Sequence, residues 1–174
     1  MTGASAPNST QFKGLTAAAF RRVMGSLPVG VTVVTARDPN GAPKGLTVSA
    51  CSSVSMDPPL LLVCIDRRSS SLEAIKATRR FAVNILRAGQ EALAARFASR
   101  SEDKFGGVPC LRGRLDVPLL EGTLAYAECE LFRTIDAGDH TILIGLIIHG
   151  DTRDAVPLTY FRRQYGAWAA TPPG

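Results

Sequence analysis

The stretch from Gly45 to Pro59, GLTVSACSSVSMDPP, runs directly into the apolar segment Leu60-Leu61-Leu62-Val63-Cys64-Ile65. It constrains the fold more than any other part of the chain. Two short β-type segments carry small hydroxyl residues between them: Thr47, Ser49, Ser52, Ser53 and Ser55. The Asp57-Pro58-Pro59 turn then stops pairing, because proline has no backbone N–H to donate. Small side chains let a planar ligand approach the backbone closely. Hydroxyls and free N–H groups can then hydrogen-bond ring heteroatoms or phosphate. An edge hairpin with a polar outer face would carry the same residues.

The remaining sequence is punctuated in the same way. Thr16 ahead of Ala17-Ala18-Ala19-Phe20-Arg21-Arg22-Val23-Met24 predicts a helix capped by Thr16. Phe20, Val23, Met24 and Leu27 fall on one face of it, and Gly25 and Pro28 end it. The β-branched alternation over 29–36 predicts a strand, Asp38-Pro39-Asn40-Gly41 a turn, and 44–50 the returning strand of a hairpin. The apolar run over 60–66 reads as a strand buried on both sides.

Arg67-Arg68-Ser69-Ser70-Ser71 precedes a short helix over 72–78, with Ser70 or Ser71 as its cap. A helix N-terminus beside two arginines is good anion-site chemistry, and a plain serine cap with solvated arginines looks the same in sequence. A strand over 81–86 follows, with Asn84 its one polar residue, facing solvent or serving a ligand. Then come an amphipathic helix over 90–99 and an irregular stretch over 101–113, long enough for a lid or binding loop. The alternating run 123–135, the turn 136–139 and the run 140–149 predict a long hairpin, with Gly145 marking a bulge or close backbone approach. The segment 157–168 is a short aromatic-basic ending.

Six or seven hairpin-joined strands with few helices between them predict a mainly β antiparallel barrel with peripheral helices. The expected domain spans 15–168, between tails at 1–14 and 169–174. A chain of 174 residues suits one domain with a real core. No apolar run approaches the roughly 20 residues of a membrane span, and the first ten residues lack an apolar signal core. A cytoplasmic protein with no membrane association is therefore expected.

Bulk chemistry excludes several function classes. The four cysteines form no C-x-x-C pair and there are two histidines, so neither a zinc site nor a disulfide framework is expected. The net charge of +5 is scattered and aromatic residues are only 6%. That argues against nucleic acid as a partner, while still attracting a dinucleotide with its phosphates. No G-x-G-x-x-G follows a strand, so a Rossmann domain is not supported.

One ordered set of motifs is specific. It comprises Phe20-Arg21-Arg22, the run from Pro28 to Thr35, Gly45-Leu46-Thr47-Val48-Ser49-Ala50, Ser53-Val54-Ser55 with Pro58-Pro59-Leu60, and Phe81 to Leu86. It continues with Gly138-Asp139-His140-Thr141, Ile144-Gly145 and Pro157-Leu158 with Tyr160-Phe161-Arg162. In that order and at about that spacing, the chain resembles the short-chain flavin reductases, the small partners of two-component flavin monooxygenases.

The resemblance implies an FMN-binding type of split β-barrel, usually a homodimer. It implies reduction of FAD or FMN by NADH or NADPH, the reduced flavin diffusing to a partner monooxygenase. By the same analogy, Thr47, Val48, Ser49 and Ala50 contact the isoalloxazine ring, largely through backbone. Ser53 and Ser55 help hold its ribityl chain and phosphate. Arg67, Arg68, Ser69, Ser70 and Ser71 hold phosphate or the adenylate half. Asn84 lies near the flavin, and Tyr160, Arg162 and Tyr165 close the edge of the site. Spacing alone reads His140 as a turn histidine in solvent; the resemblance places it by the nicotinamide as the one catalytic residue.

Hydride transfer between two stacked rings needs orientation and polarisation from the protein more than an acid–base triad. That fits a sequence without a convincing triad or carboxylate pair. Two rival readings remain at this point. One is a flavoprotein that keeps its flavin bound. The other is a non-catalytic split-barrel binding protein, for instance one holding haem through His140 and His149.

Overall fold

The computed structural model describes residues 14–170. The tails expected at 1–14 and 169–174 lie almost wholly outside that range. The helices are α1 (Ala17–Met24), α2 (Ser70–Thr78) and α3 (Glu91–Ala98). The strands are β1 (Val29–Gly30), β2 (Thr32–Arg37), β3 (Pro43–Val48), β4 (Cys51–Met56), β5 (Pro59–Asp66), β6 (Arg80–Ile85), β7 (Cys110–Arg112), β8 (Pro118–Leu120), β9 (Ala125–Ala137), β10 (His140–Thr152), β11 (Leu158–Phe161) and β12 (Gln164–Ala167).

The main sheet has the order β3-β2-β6-β9-β10-β5-β4, and every neighbouring pair is antiparallel. Its two edge strands are consecutive in sequence, linked only by Ser49 and Ala50. The sheet must therefore curl until its edges come together. No ladder joins β3 to β4 among the described residues. The result is a barrel with an open seam, a split barrel, and the seam lies at the serine-rich stretch.

Several local expectations change. The strand expected over 29–36 divides at Val31. There β1 pairs with β11, β2 pairs with β3 and β6, and Val31 bridges the two sheets, donating to Leu158 O and accepting from Leu86 N–H. The α2 helix begins earlier, because Ser69 rather than Ser70 or Ser71 is the N-cap, accepting from Ser71 N–H at 3.3 Å. Part of the irregular stretch becomes the β7–β8 hairpin, laid against β2 and β6.

The β5 strand is not buried on both faces. Leu61, Val63 and Ile65 enter the core with Leu72, Ile75, Phe81 and Leu143, while Leu62, Cys64 and Asp66 are only half-buried on the outer face. Gly145 allows a close approach at the centre of β10. A Cβ there would stand 2.5 Å from the Phe81 ring and 2.9 Å from the Cys129 Cβ, and the register with β9 shifts at that point. A second cluster of Val31, Val33, Leu86, Phe97 and Leu158 lies between α3 and β11. Among the described residues no helix is long and apolar enough to cross a membrane.

Candidate functional site

The seam opens into a cavity of about 830 Å³. Ser49, Ala50, Cys51 and Ser52 form one edge, with Leu62 of β5 beside them. Phe20, Met24 and Leu27 close it from the α1 side, and Tyr160, Arg162 and Arg163 from the β11–β12 hairpin. α1 buries none of its residues in the core. Its apolar face, which the sequence pattern reads as a packing face, looks into this cavity instead. A flat ring can lie along the small residues at 49–52 with apolar walls around it.

The expected binding residues separate into groups. Ser49, Ala50, Tyr160 and Arg162 line the seam cavity. Tyr165 packs against Tyr160 with ring centroids 5.2 Å apart, and burial pushes its phenol up from the ordinary tyrosine value. Ser52 lines the cavity, whereas Ser53 and Ser55, on either side of a register shift in β4, do not.

Two side chains of the ring-binding segment are turned away. Thr47 donates its hydroxyl to Ala94 O of α3 at 2.7 Å, and Val48 is buried in the core. Only their backbone is left for a ligand.

Arg68, Ser69 and Ser70 line a different cavity, of about 590 Å³, at the other end of β3. Its far wall is the loop after α3, with Arg100, Ser101 and Lys104, and Lys44 completes the rim. Lys104 is held by Gly45 O at 3.3 Å and Phe97 O at 3.0 Å, and desolvation lowers its ammonium below the usual lysine value. Sequence reasoning finds the arginine–serine side of this space and the neighbouring loop, but not the individual basic residues on that loop. Arg67 is exposed outside both cavities, and Ser71 is buried in the first turn of α2.

Asn84 requires correction. It neither faces solvent nor lies open to a ligand. It is fully buried, donating to Val33 O and Thr35 Oγ1 at 3.0 Å and accepting from Leu120 N–H at 2.9 Å. Its amide ties β2, β6 and the β7–β8 hairpin together.

His140 lines neither cavity. It stands on β10 opposite Asp66 of β5, with its Nδ1 2.8 Å from Asp139 Oδ1. Asp66 lies on the same outer face of β5 as Leu62, four residues further along, or about 13 Å at strand rise. His149 is 3.3 Å from the Tyr126 hydroxyl through Nε2. The two histidines are separated by about 30 Å of strand, too far to ligate one haem iron between them.

Cys51 reaches the cavity, but burial and then Cys64 push its thiol up to about 11. It stays protonated at neutral pH and is no nucleophile. The cavities therefore offer shape and guanidinium groups, while the imidazole of His140 stands outside both. Such a lining suits flat, phosphorylated molecules.

Residues 24–169 match the model of the flavin reductase like domain. The chain belongs to the flavin reductase-like family. A flavin reductase (NADH) from Kitasatospora aureofaciens is 49% identical over 86% of this chain and 80% of its own length. The reductase subunit of a flavin-dependent monooxygenase from Rhodococcus jostii is 37% identical, over 84% of this chain and 75% of its own. Among solved structures, an NADH:FAD oxidoreductase from Streptomyces globisporus in complex with NAD and FAD fragments superposes with a TM-score of 0.85. It is 32% identical and covers 98% of this chain and all of its own. The split barrel and its seam are thus the flavin reductase architecture.

Proposed function

We propose that this chain reduces diffusible flavin, FAD or FMN, with NADH and supplies the reduced flavin to a flavin-dependent monooxygenase. The carrying observation is the seam cavity, where a small-residue edge at 49–52 faces apolar walls in a volume suited to a flat ring. The names borne by the relatives support NADH as donor and a monooxygenase as recipient. When bound, the two cofactors supply the chemistry: hydride passes from the nicotinamide to the flavin, and a proton from solvent completes the reduced flavin.

The chain's residues bind and orient. The 49–52 edge lets a ring lie on the backbone and offers N–H donors. Phe20, Met24, Leu62 and Tyr160 keep water from the ring. Arg68, Ser69 and Ser70, with Lys44 and Arg100 across from them, receive phosphate. His140, engaged at Nδ1 by Asp139, presents Nε2 near the nicotinamide.

The active unit in this reading is a cytoplasmic homodimer. Exposed apolar side chains on α1 (Phe20, Val23, Met24), on β4 (Val54, and Met56 at 95% exposure) and on β9–β10 (Phe132, Ile148) support it. Sedimentation as a monomer at working concentration would contradict the dimer.

Anaerobic mixing of excess free FAD or FMN with NADH or NADPH tests the activity. Bleaching of flavin absorbance over many turnovers is the expected result. Reduction of a single equivalent would favour a resident flavin, and no reduction by a folded protein would remove the reductase reading.

A further inference from the structure

Four arginines converge where the end of α1 meets the β11–β12 hairpin. Arg21, Arg22, Arg162 and Arg163 line a cavity of about 530 Å³. Three of them, Arg21, Arg162 and Arg163, also line the seam cavity, so the two spaces adjoin. The hairpin is fastened to α1 there by Arg162 N–H donating to Gly25 O at 3.1 Å. None of the four forms an ion pair among the described residues, as holds for most arginines of this chain; Arg37, Arg68 and Arg112 do. Like charges gathered without acidic partners repel one another, and an anion between them removes that repulsion.

The helix dipole accounts for two of these arginines at most. Arg21 and Arg22 sit in the last turn of α1, where a cation is favoured. Arg162 stacks its guanidinium over the Phe161 ring, 5.1 Å from the centroid, and Arg163 has no such partner among the described residues. They are the two loop residues between the paired Phe161 and Gln164, with φ of 47° and 67°. Positive φ at both positions makes a type I′ turn, which prefers Asn-Gly and strains longer L side chains. Strained positions of this kind persist where the side chain has a task. Here two consecutive ones carry guanidinium groups at the mouth of the ring-binding cavity.

We infer that Arg21, Arg22, Arg162 and Arg163 seat the diphosphate of a dinucleotide whose flat ring enters the adjoining cavity. Guanidinium groups match phosphate oxygens in a bidentate fashion and stay charged at every working pH. Two phosphate charges among four guanidiniums are well compensated. The assignment of the ring rests on the reductase reading above and deepens it. NADH and FAD both carry a diphosphate, whereas FMN carries a single phosphate.

The test is the double substitution Arg162→Asn with Arg163→Gly. It installs the favoured turn while removing two guanidiniums, so the hairpin is retained. The thermal midpoint is expected to hold or rise. The KM for NADH, for FAD, or for both is expected to rise at least about tenfold; where FAD responds, the KM for FMN rises less, because FMN carries only the phosphate next to its ribityl chain. A rise confined to NADH assigns the seat to the nicotinamide dinucleotide, and one confined to FAD assigns it to the flavin. Unchanged KM values for both overturn the proposal.

Calorimetric binding of ADP, the fragment common to FAD and NADH, separates this from the reductase reading. Binding at least tenfold weaker in the variant supports the seat even if the wild-type protein reduces no free flavin. Equal ADP binding, in a protein that turns flavin over, keeps the reductase and removes the seat. If the double variant loses its fold, Arg22→Gln on the exposed side of α1 carries the same test, with a weaker but same-direction loss of ADP affinity expected and no loss overturning the proposal.

Discussion

Asp66 and His140 are register partners at the adjoining ends of β5 and β10, and Asp66 also accepts from both Nε and Nη2 of Arg68, at 3.1 and 2.7 Å. Asp139 stands next to His140, 2.8 Å from its Nδ1. The imidazole is 44% exposed, yet a carboxylate engages one nitrogen and a second lies opposite on the next strand. Its ring is oriented rather than left as a free surface group.

That orientation leads to the first expectation. His140→Ala should lower the rate of flavin reduction by NADH on the order of 100-fold, within the range of a positioned polar group, while flavin affinity changes less than threefold. Stopped-flow reduction and flavin fluorescence titration measure the two separately. Equal losses in both, or none in either, would remove His140 from the nicotinamide side.

The acid pair next to it sets a pH dependence. Hydrogen bonds from Arg68 hold the Asp66 carboxyl well below the usual carboxylate range, and the His140 hydrogen bond lowers Asp139. A depressed folded value means stability that is present above the unfolded value of about 3.9 and is lost as pH falls through the folded one. The difference in thermal midpoint between wild type and Asp66→Asn should be fully present near neutral pH. It should shrink as the solution is taken below about pH 4. The groups lie at the surface, so the effect is small. A difference that widens on acidification would contradict the assignment.

The edge at the seam is tested by bulk. Ser49→Trp fills the side of the cavity where a ring would meet the backbone. Loss of flavin affinity by at least about 100-fold is expected, since a misplaced ring forfeits most of its contact. Affinity equal to wild type, by fluorescence titration, would place the ring elsewhere.

Asn84 divides structure from function. Asn84→Ala removes the Asn84 partner of Val33 O and Leu120 N–H in the interior and leaves Thr35 Oγ1 only its bond to Pro118 O. The cost should be on the order of 3 kcal/mol in denaturant unfolding. The flavin KM of the folded fraction should remain within twofold. A large rise in flavin KM with stability preserved would return Asn84 to the binding site.

Much of the fold is legible in the sequence because strand signals are local. The β-branched alternation of β2, the turn at Asp38–Gly41 and the long β9–β10 hairpin follow from side-chain period and turn chemistry. Ser49 and Ala50 are legible as a close-approach edge for the same reason, since smallness is a property of the residue itself. The break at Val31 is not legible, because a change of hydrogen-bonding partner leaves the residue pattern of a strand unaltered. Nor is the role of Asn84: one polar residue in an apolar strand reads alike whether it meets solvent, ligand or three buried partners.

The sequence by itself determined the mainly β architecture, the hairpin order and the serine-rich link, and its ordered motifs pointed to the flavin reductase-like family. Only the tertiary structure decided which face of each element meets the cavity. α1 shows the difference. Its apolar stripe is clear in the sequence, but a stripe does not say whether it covers a core or a cavity. The arginines at 21–22 and 162–163 lie some 140 positions apart in the chain, and no local pattern relates them. Curling of the sheet and the hydrogen bond from Arg162 to Gly25 bring them together, because packing geometry acts across distances that local residue chemistry does not encode.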